Sequence, residues 1–332
     1  MKKIVSLLIT LLLAFFMLSS CTFGESDSNE GTNNNVSKIK IGCLSGPTGM
    51  GMAKLISDNG MDSEKYSFTV FSSPDDARNA FLAGDVDAIC FPTNTALNLY
   101  NKTNGSITVA AVNCLGSLYV ISNSTVDING IEDLEGKTIY ASVPNSTTLP
   151  IVEHILDESG INANITFEYN NETLATHDQL VALVAKGLID IAILPEPKAT
   201  ATILSNAALG LSIDINLSEA WESISDDDEP LTMGCIIFNK QFAIDNKSSV
   251  DAFLSEYEES IKYINDENNN ESSANMIAES GILPNANIAK KALNNLYGSI
   301  VYIDGKEMKT ALDGFFTVID MELPDDEFFY EG

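Results

Sequence analysis

Apolar and polar positions divide the chain into three stretches. Residues 4–18 form a predominantly apolar run, with Ser6 and Thr10 its only hydroxyls, behind Lys2 and Lys3. Residues 22–37 are rich in Gly, Ser, Asn, Asp and Glu, with Phe23 and Val36 as their only large apolar side chains. Patterned sequence begins at Lys38, where short apolar runs alternate with stretches of helical period. Strands are predicted at 39–44, 68–71, 87–91 and 108–112, with helices at 50–57, 76–82 and 95–100 between them. This β-α-β-α rhythm predicts a largely parallel sheet with helices on both faces. A second series starts at Lys137, with strands at 138–141, 165–167 and 189–194 and helices at 147–156 and 180–185.

The two series repeat one another. Gly84-Asp85-Val86-Asp87-Ala88-Ile89-Cys90-Phe91-Pro92 matches Gly187-Leu188-Ile189-Asp190-Ile191-Ala192-Ile193-Leu194-Pro195 in its glycine, aspartate and proline offsets. The glycine ends a helix in a left-handed conformation, the aspartate opens a strand and the proline closes it. Ser45-Gly46-Pro47-Thr48 and Ser142-Val143-Pro144-Asn145 are small polar turns after the first strand of each series. Residues 231–238 are apolar again, and the chain then reads as helical to near its end. Val250, Phe253, Leu254, Tyr257, Ile261 and Ile264 form a helical stripe, and 265–273 reads as a polar loop. The expected architecture is α/β and bilobed: two mostly parallel sheets, lobe I at 38–121 plus 230–332, lobe II at 122–229. Hinge crossings are expected near 119–125 and 228–232.

Composition adds a compartment. The apolar run of about 15 residues suits an export signal and is short for a membrane span. Leu18-Ser19-Ser20-Cys21 resembles a bacterial lipobox, which implies cleavage after residue 20 and lipid on Cys21. Residues 21–37 then form a flexible tether of roughly 20–25 Å root-mean-square reach. The protein is expected outside the cytoplasm, lipid-anchored to the bacterial cell membrane. The formal charge is −29, and loss of Lys2 and Lys3 leaves 16 basic against 47 acidic residues, or −31. Nucleic acid is thereby excluded as a partner. Arg78 is the sole arginine, so an anionic ligand could be held by at most one guanidinium fork. Cys43, Cys90, Cys114 and Cys235 lie in apolar runs and read as small hydrophobes, with a disulfide among them left open. Neither histidine, His154 or His177, belongs to a metal-ligand spacing, no G-x-S-x-G occurs, and no metal or cofactor is expected.

In parallel α/β sheets, ligands bind beyond the carboxyl ends of the strands. Those ends carry Ser45, Gly46, Pro47, Thr48, Gly49, Met50, Asn94, Thr95, Gly116, Ser142, Asn145, Ser146, Thr147 and Glu196. The hydroxyls and amides can hydrogen-bond a solute or cap helices. Gly46 and Gly49 allow close backbone approach. Glu196 suits a ligand N–H or cation, or the first turn of a helix.

Several of these pieces, in this order, resemble the substrate-binding proteins of ABC importers in the nitrate/sulfonate/taurine and thiamine-precursor group. They are Ser45-Gly46-Pro47-Thr48-Gly49-Met50-Gly51, Gly84-Asp85-Val86-Asp87, Gly130-Ile131-Glu132-Asp133-Leu134-Glu135-Gly136-Lys137, Ile193-Leu194-Pro195-Glu196-Pro197 and Leu323-Pro324-Asp325-Asp326-Glu327-Phe328. The resemblance implies a periplasmic-binding-protein-like (type II) fold and a monomeric receptor that closes on a small molecule. It implies delivery of that molecule to the transmembrane subunits of an ABC permease. The cargo it allows is sulfonate-, nitrate- or taurine-like, or thiamine-precursor-like. Scarce arginine tilts the expectation toward a neutral or weakly cationic nitrogenous solute. A receptor serving a sensor protein and an enzyme on the same fold remain as alternatives.

Overall fold

A computed structural model of the chain describes residues 37–225 and 229–332. The signal sequence, Cys21, the tether up to residue 36 and Asp228 lie outside the described residues. In chain order the strands are β1 (Ile39–Leu44), β2 (Tyr66–Phe71), β3 (Ala88–Pro92), β4 (Ile107–Cys114), β5 (Leu118–Ser122), β6 (Thr138–Tyr140) and β7 (Asn164–Thr166). There follow β8 (Glu168–Tyr169), β9 (Glu172–Thr173), β10 (Ile191–Pro195), β11 (Ser212–Asn216), β12 (Gly234–Asn239) and β13 (Ile300–Ile303). One sheet has the order β13-β4-β12-β3-β1-β2, a second β11-β5-β10-β6-β7, and β8 pairs with β9 as a small ribbon. Among the described residues no helix is long and apolar enough to cross a membrane.

Without β13, the two sheets share one plan. Read from the opposite edge they run β2-β1-β3-β12-β4 and β7-β6-β10-β5-β11. β12 lies antiparallel between β3 and β4, and β5 antiparallel between β10 and β11. The expectation of mostly parallel sheets holds for strand direction in β1–β4 and in β6, β7, β10 and β11, but the pairings are mixed. The reason is geometric. A chain leaving the carboxyl end of β4 enters the second sheet at the carboxyl ends of its strands and must run the other way. β12 repeats this on the return.

The crossing after β4 takes only residues 115–117. The hinge expected at 119–125 therefore begins inside β5, and a lobe boundary at 121 cuts that strand, whose five residues pair in the second sheet. β4 and β5 are both wholly buried, so the apolar pattern scarcely breaks between them.

The repeated motifs hold equivalent junctions. Gly84 and Gly187 have φ of 77° and 66°. Asp87 accepts from the Lys40 amide at 2.9 Å, and its carbonyl accepts from the amide of Asn239, the last residue of β12, at 2.9 Å. Asp190 accepts from Asn123 Nδ2 at 2.7 Å, and its carbonyl accepts from the Asn123 amide at 3.0 Å, just past β5. Each aspartate thus fixes the far end of the strand that crossed over. The helix after β2 (Pro74–Ala83) starts on a Ser73 side-chain cap, and helix His177–Val184 on a Thr176–Gln179 capping box.

The predicted apolar stripe is buried on helix Lys247–Asn265. The polar stretch after it is helical sooner than expected, because helix Asn270–Glu279 buries Ser273, Ala274 and Ile277. β13 interrupts the expected helical tail. Helix Gly305–Val318 sends Phe315 to Trp221, 5.8 Å between ring centroids, and His154 packs on the same indole at 4.9 Å. One apolar cluster accordingly runs from Val109 and Val112 of β4 through Leu118 and Val120 of β5 to Ile139, Ile151 and Trp221. The four described cysteines are free and buried. Burial pushes the thiols of Cys90 and Cys114 up to about 12, leaving them apolar in character.

Gly234 opens β12 where a Cβ would stand 2.5 Å from Thr48 Cγ2 and 2.7 Å from Asn113 Oδ1. Gly234→Ala is expected to cost about 1–3 kcal/mol by overpacking. Urea unfolding midpoints check this, and an unchanged midpoint would contradict the tight seat described for β12.

Candidate ligand site

The turn after β1 is built from inside. Gly46 has φ 129°, a conformation that L side chains rarely adopt. Gly49 lies against β1, where a Cβ would come within 2.3 Å of the Leu44 carbonyl oxygen. Pro47–Met50 is a single helical turn, separate from helix Ala53–Asn59. Asn113 Nδ2 donates to the Thr48 carbonyl at 3.2 Å, and Ser260 Oγ donates to the Gly51 carbonyl at 2.5 Å. Ser45 Oγ is spent on the Ile282 carbonyl at 2.7 Å.

After β3, Thr93 rather than its neighbours is fixed. Its Oγ1 donates to the Thr232 carbonyl at 2.8 Å and its amide to the Met233 carbonyl at 3.2 Å. Asn94 and Thr95 are half-buried in the first turn of helix Thr93–Lys102. The two crossings meet at Gly116, where a Cβ would lie 1.9 Å from Ser218 Oγ and 2.9 Å from Leu231 Cδ2. Buried Ser218 Oγ and Thr232 Oγ1 have no protein partner there.

In the second half, the buried Ser142 hydroxyl lies 2.8 Å from His177 Nδ1. Val143 has φ 59°, unusual for a β-branched residue, and occupies the place before a proline that Gly46 occupies in the first half. Ser146 Oγ accepts from the Thr148 amide at 3.3 Å, so it caps helix Thr148–Ser159, whereas Thr147 makes no side-chain cap. Asn145 is exposed.

Glu196 follows β10 and is 1 % exposed. Its Oε2 accepts from the Thr200 amide at 3.3 Å, and its Oε1 from Thr200 Oγ1 at 2.8 Å and Asn295 Nδ2 at 2.5 Å. Tyr119 Oη, from β5, donates to the Asn295 carbonyl at 2.6 Å. Burial raises the Tyr119 hydroxyl above its ordinary value, and the Glu196 charge adds to the rise. Pro197 reaches toward Gly46, whose Cβ would stand 4.0 Å from Pro197 Cδ.

The turns after β1 and β10 thus face each other, and Gly116 joins the crossings. Ser142 and Ser146 bond within their own half. Sequence reasoning passed over His177, Asn295, Tyr119, Thr232 and Ser218. Their partners are remote in sequence, as with Ser142 and His177 at 35 positions, so no short motif marks them. Arg78 pairs with Asp75 at 2.9 Å on its own helix. Lys198 pairs with Asp178 beside His177. No cluster of three or more His, Cys, Asp or Glu able to hold a metal occurs among the described residues. A surface hollow of about 500 Å³ bounded by Thr108, Lys240, Ile244, Lys247 and Tyr330 lies near the start of β4, away from these turns.

His177 is held below its ordinary value by burial first and by Lys198 second, with Asp178 opposing. The unfolded chain therefore takes up this proton at higher pH than the folded one. The folded state loses stability as pH falls below about 6.5. His177→Gln should lose less melting temperature than wild type between pH 7.5 and 5.5. Parallel pH curves would contradict the assignment.

Residues 53–225 match the family described as ABC transporter, phosphonate, periplasmic substrate-binding protein. No curated protein matches the chain in sequence. An ABC transporter structure from Parabacteroides distasonis superposes with a TM-score of 0.71 at 20% identity, covering 89% of this chain and 99% of the other. The alkanesulfonate-binding protein of Xanthomonas axonopodis pv. citri, bound to MOPS, gives 0.59 at 15%, covering 87% and 95%. The periplasmic nitrate-binding protein of Synechocystis PCC 6803 gives 0.55 at 11%, covering 82% and 75%.

Proposed function

The chain belongs to the phosphonate-type periplasmic substrate-binding proteins of ABC transporters, a family that binds substrate and is not enzymatic, and from that premise we propose what it carries and how. It captures a small polar solute without net negative charge between its two sheets and delivers it to the transmembrane subunits of an ABC permease. It works as a monomer outside the cytoplasm, anchored through lipid on Cys21. Its two lobes are residues 38–116 with 230–332, and 117–229, turning about 115–117 and the return crossing near Thr232.

The observation that carries the choice of solute is the charge of the floor. Glu196 is buried between the halves, while Arg78 and Lys198 are each paired to an aspartate. A buried carboxylate in the site disfavours sulfonate or phosphonate and favours N–H donors. The remaining groups, among them Asn94, Thr95, Asn145 and Thr147, offer neutral hydrogen bonding. Ser45, Ser142 and Ser146 are engaged within their own halves, which makes them supports of the turns. Several relatives of the fold are named for anionic solutes, so this chain departs from them in cargo while keeping the scaffold.

A thermal-shift panel tests the reading. A pyrimidine-type thiamine precursor or a similar neutral nitrogenous solute is expected to stabilise the protein by about 2.7 kcal/mol at a hundred times its Kd. Alkanesulfonates, phosphonates and nitrate should leave the melting temperature in place. Stabilisation by the anions alone would overturn the proposed cargo.

A further inference from the structure

We propose that Asn295 is a latch that holds the two halves together without any solute, and that it sets how tightly the site binds. The inference rests on the receptor reading above, because a latch matters only if the halves separate. Asn295 is the last residue of helix Ala286–Asn295, which packs with the first-sheet half. The partners of its side chain and of its carbonyl come from the other half. Its carboxamide nitrogen Nδ2 lies 2.5 Å from Glu196 Oε1 and 3.1 Å from Thr200 Oγ1, donating into the Glu196–Thr200 pair. Its carbonyl, left without an intrahelical partner at the helix end, accepts from Tyr119 Oη at 2.6 Å.

The chemistry makes these bonds costly to break. Glu196, Thr200 and Tyr119 are 1 %, 4 % and 2 % exposed. The bond to Glu196 is charge-assisted, and such bonds are roughly twice as strong as neutral ones. Opening would strip a donor from a buried carboxylate and from a buried hydroxyl. The Glu196 amide also donates to the Ser117 carbonyl at 2.9 Å, placing the latch beside the first crossing. Rotation about that crossing must break the Asn295 bonds before solute can enter or leave.

The latch also defines what Glu196 offers. Oε1 already accepts two bonds and Oε2 one, so the carboxylate holds the closed form. A solute then needs to supply only part of the free energy of closure, since ligand shifts the equilibrium by its difference in affinity for the two states.

The test is a pair of substitutions read by distance between the halves. Spin labels go on Lys102→Cys and Glu158→Cys, exposed positions near the far ends of their helices, in the mature chain with Cys21→Ser. The four buried native thiols stay unlabelled. Without added solute, Asn295→Asp places a carboxylate against Glu196 and should shift the distance outward by several ångströms. Glu196→Gln with Asn295→Asp exchanges the amide and carboxylate across the contact and should return the wild-type distance. An unshifted distance in Asn295→Asp overturns the latch. If that variant fails to fold, the exchanged pair decides: recovery of fold and distance supports a direct contact, and no recovery overturns it. The readout needs no solute, so the latch and the proposed cargo fail separately.

Discussion

Each sheet is completed by a strand that the chain lays down immediately on arriving from the other sheet. β5 follows β4 after three residues, and β12 opens at Gly234 soon after the return. Both run against their neighbours because they enter at the carboxyl ends of the strands already there. This brings both crossings and both sets of strand-end turns to one place. Gly116 permits it, since any side chain there would strike Ser218 and Leu231. The aspartates at 87 and 190 secure the far ends of the same two strands, so the junction is fixed at both ends of each.

Around that junction the polar groups divide by task. Ser45, Thr93, Ser146 and Asn113 hold turns and helix starts. Glu196, Thr200, Tyr119 and Asn295 connect the halves. Ser218 and Thr232 keep hydroxyl oxygens without protein partners near the crossings. Arginine is scarce: the single Arg78 is paired with Asp75, and Lys198 with Asp178. On the function proposed above, the site would select by hydrogen-bond pattern and by exclusion of anions.

Much of the scaffold was legible because it repeats. The Gly-Asp-Pro offsets of the two series mark β3 and β10, and the paired turns after β1 and β6 mark the strand ends. β5 was not legible: five buried, mostly apolar residues follow eight others with only Leu115, Gly116 and Ser117 between, and pattern alone does not say that the sheet changes. The internal position of β12 and the edge strand β13 depend on long-range pairing that no local period encodes. At the site, the bonding duties of the residues were not readable from the sequence. Ser45 bonds the Ile282 carbonyl, and Glu196 meets Asn295, 99 positions away, so neither partner is marked by a local pattern.

Native mass spectrometry of the mature protein, purified without denaturation, tests the central claim most directly. The account predicts one noncovalent adduct per chain, lost on unfolding, whose released mass belongs to an uncharged or weakly cationic nitrogenous compound. An adduct identified as a sulfonate, phosphonate or inorganic oxyanion would contradict it.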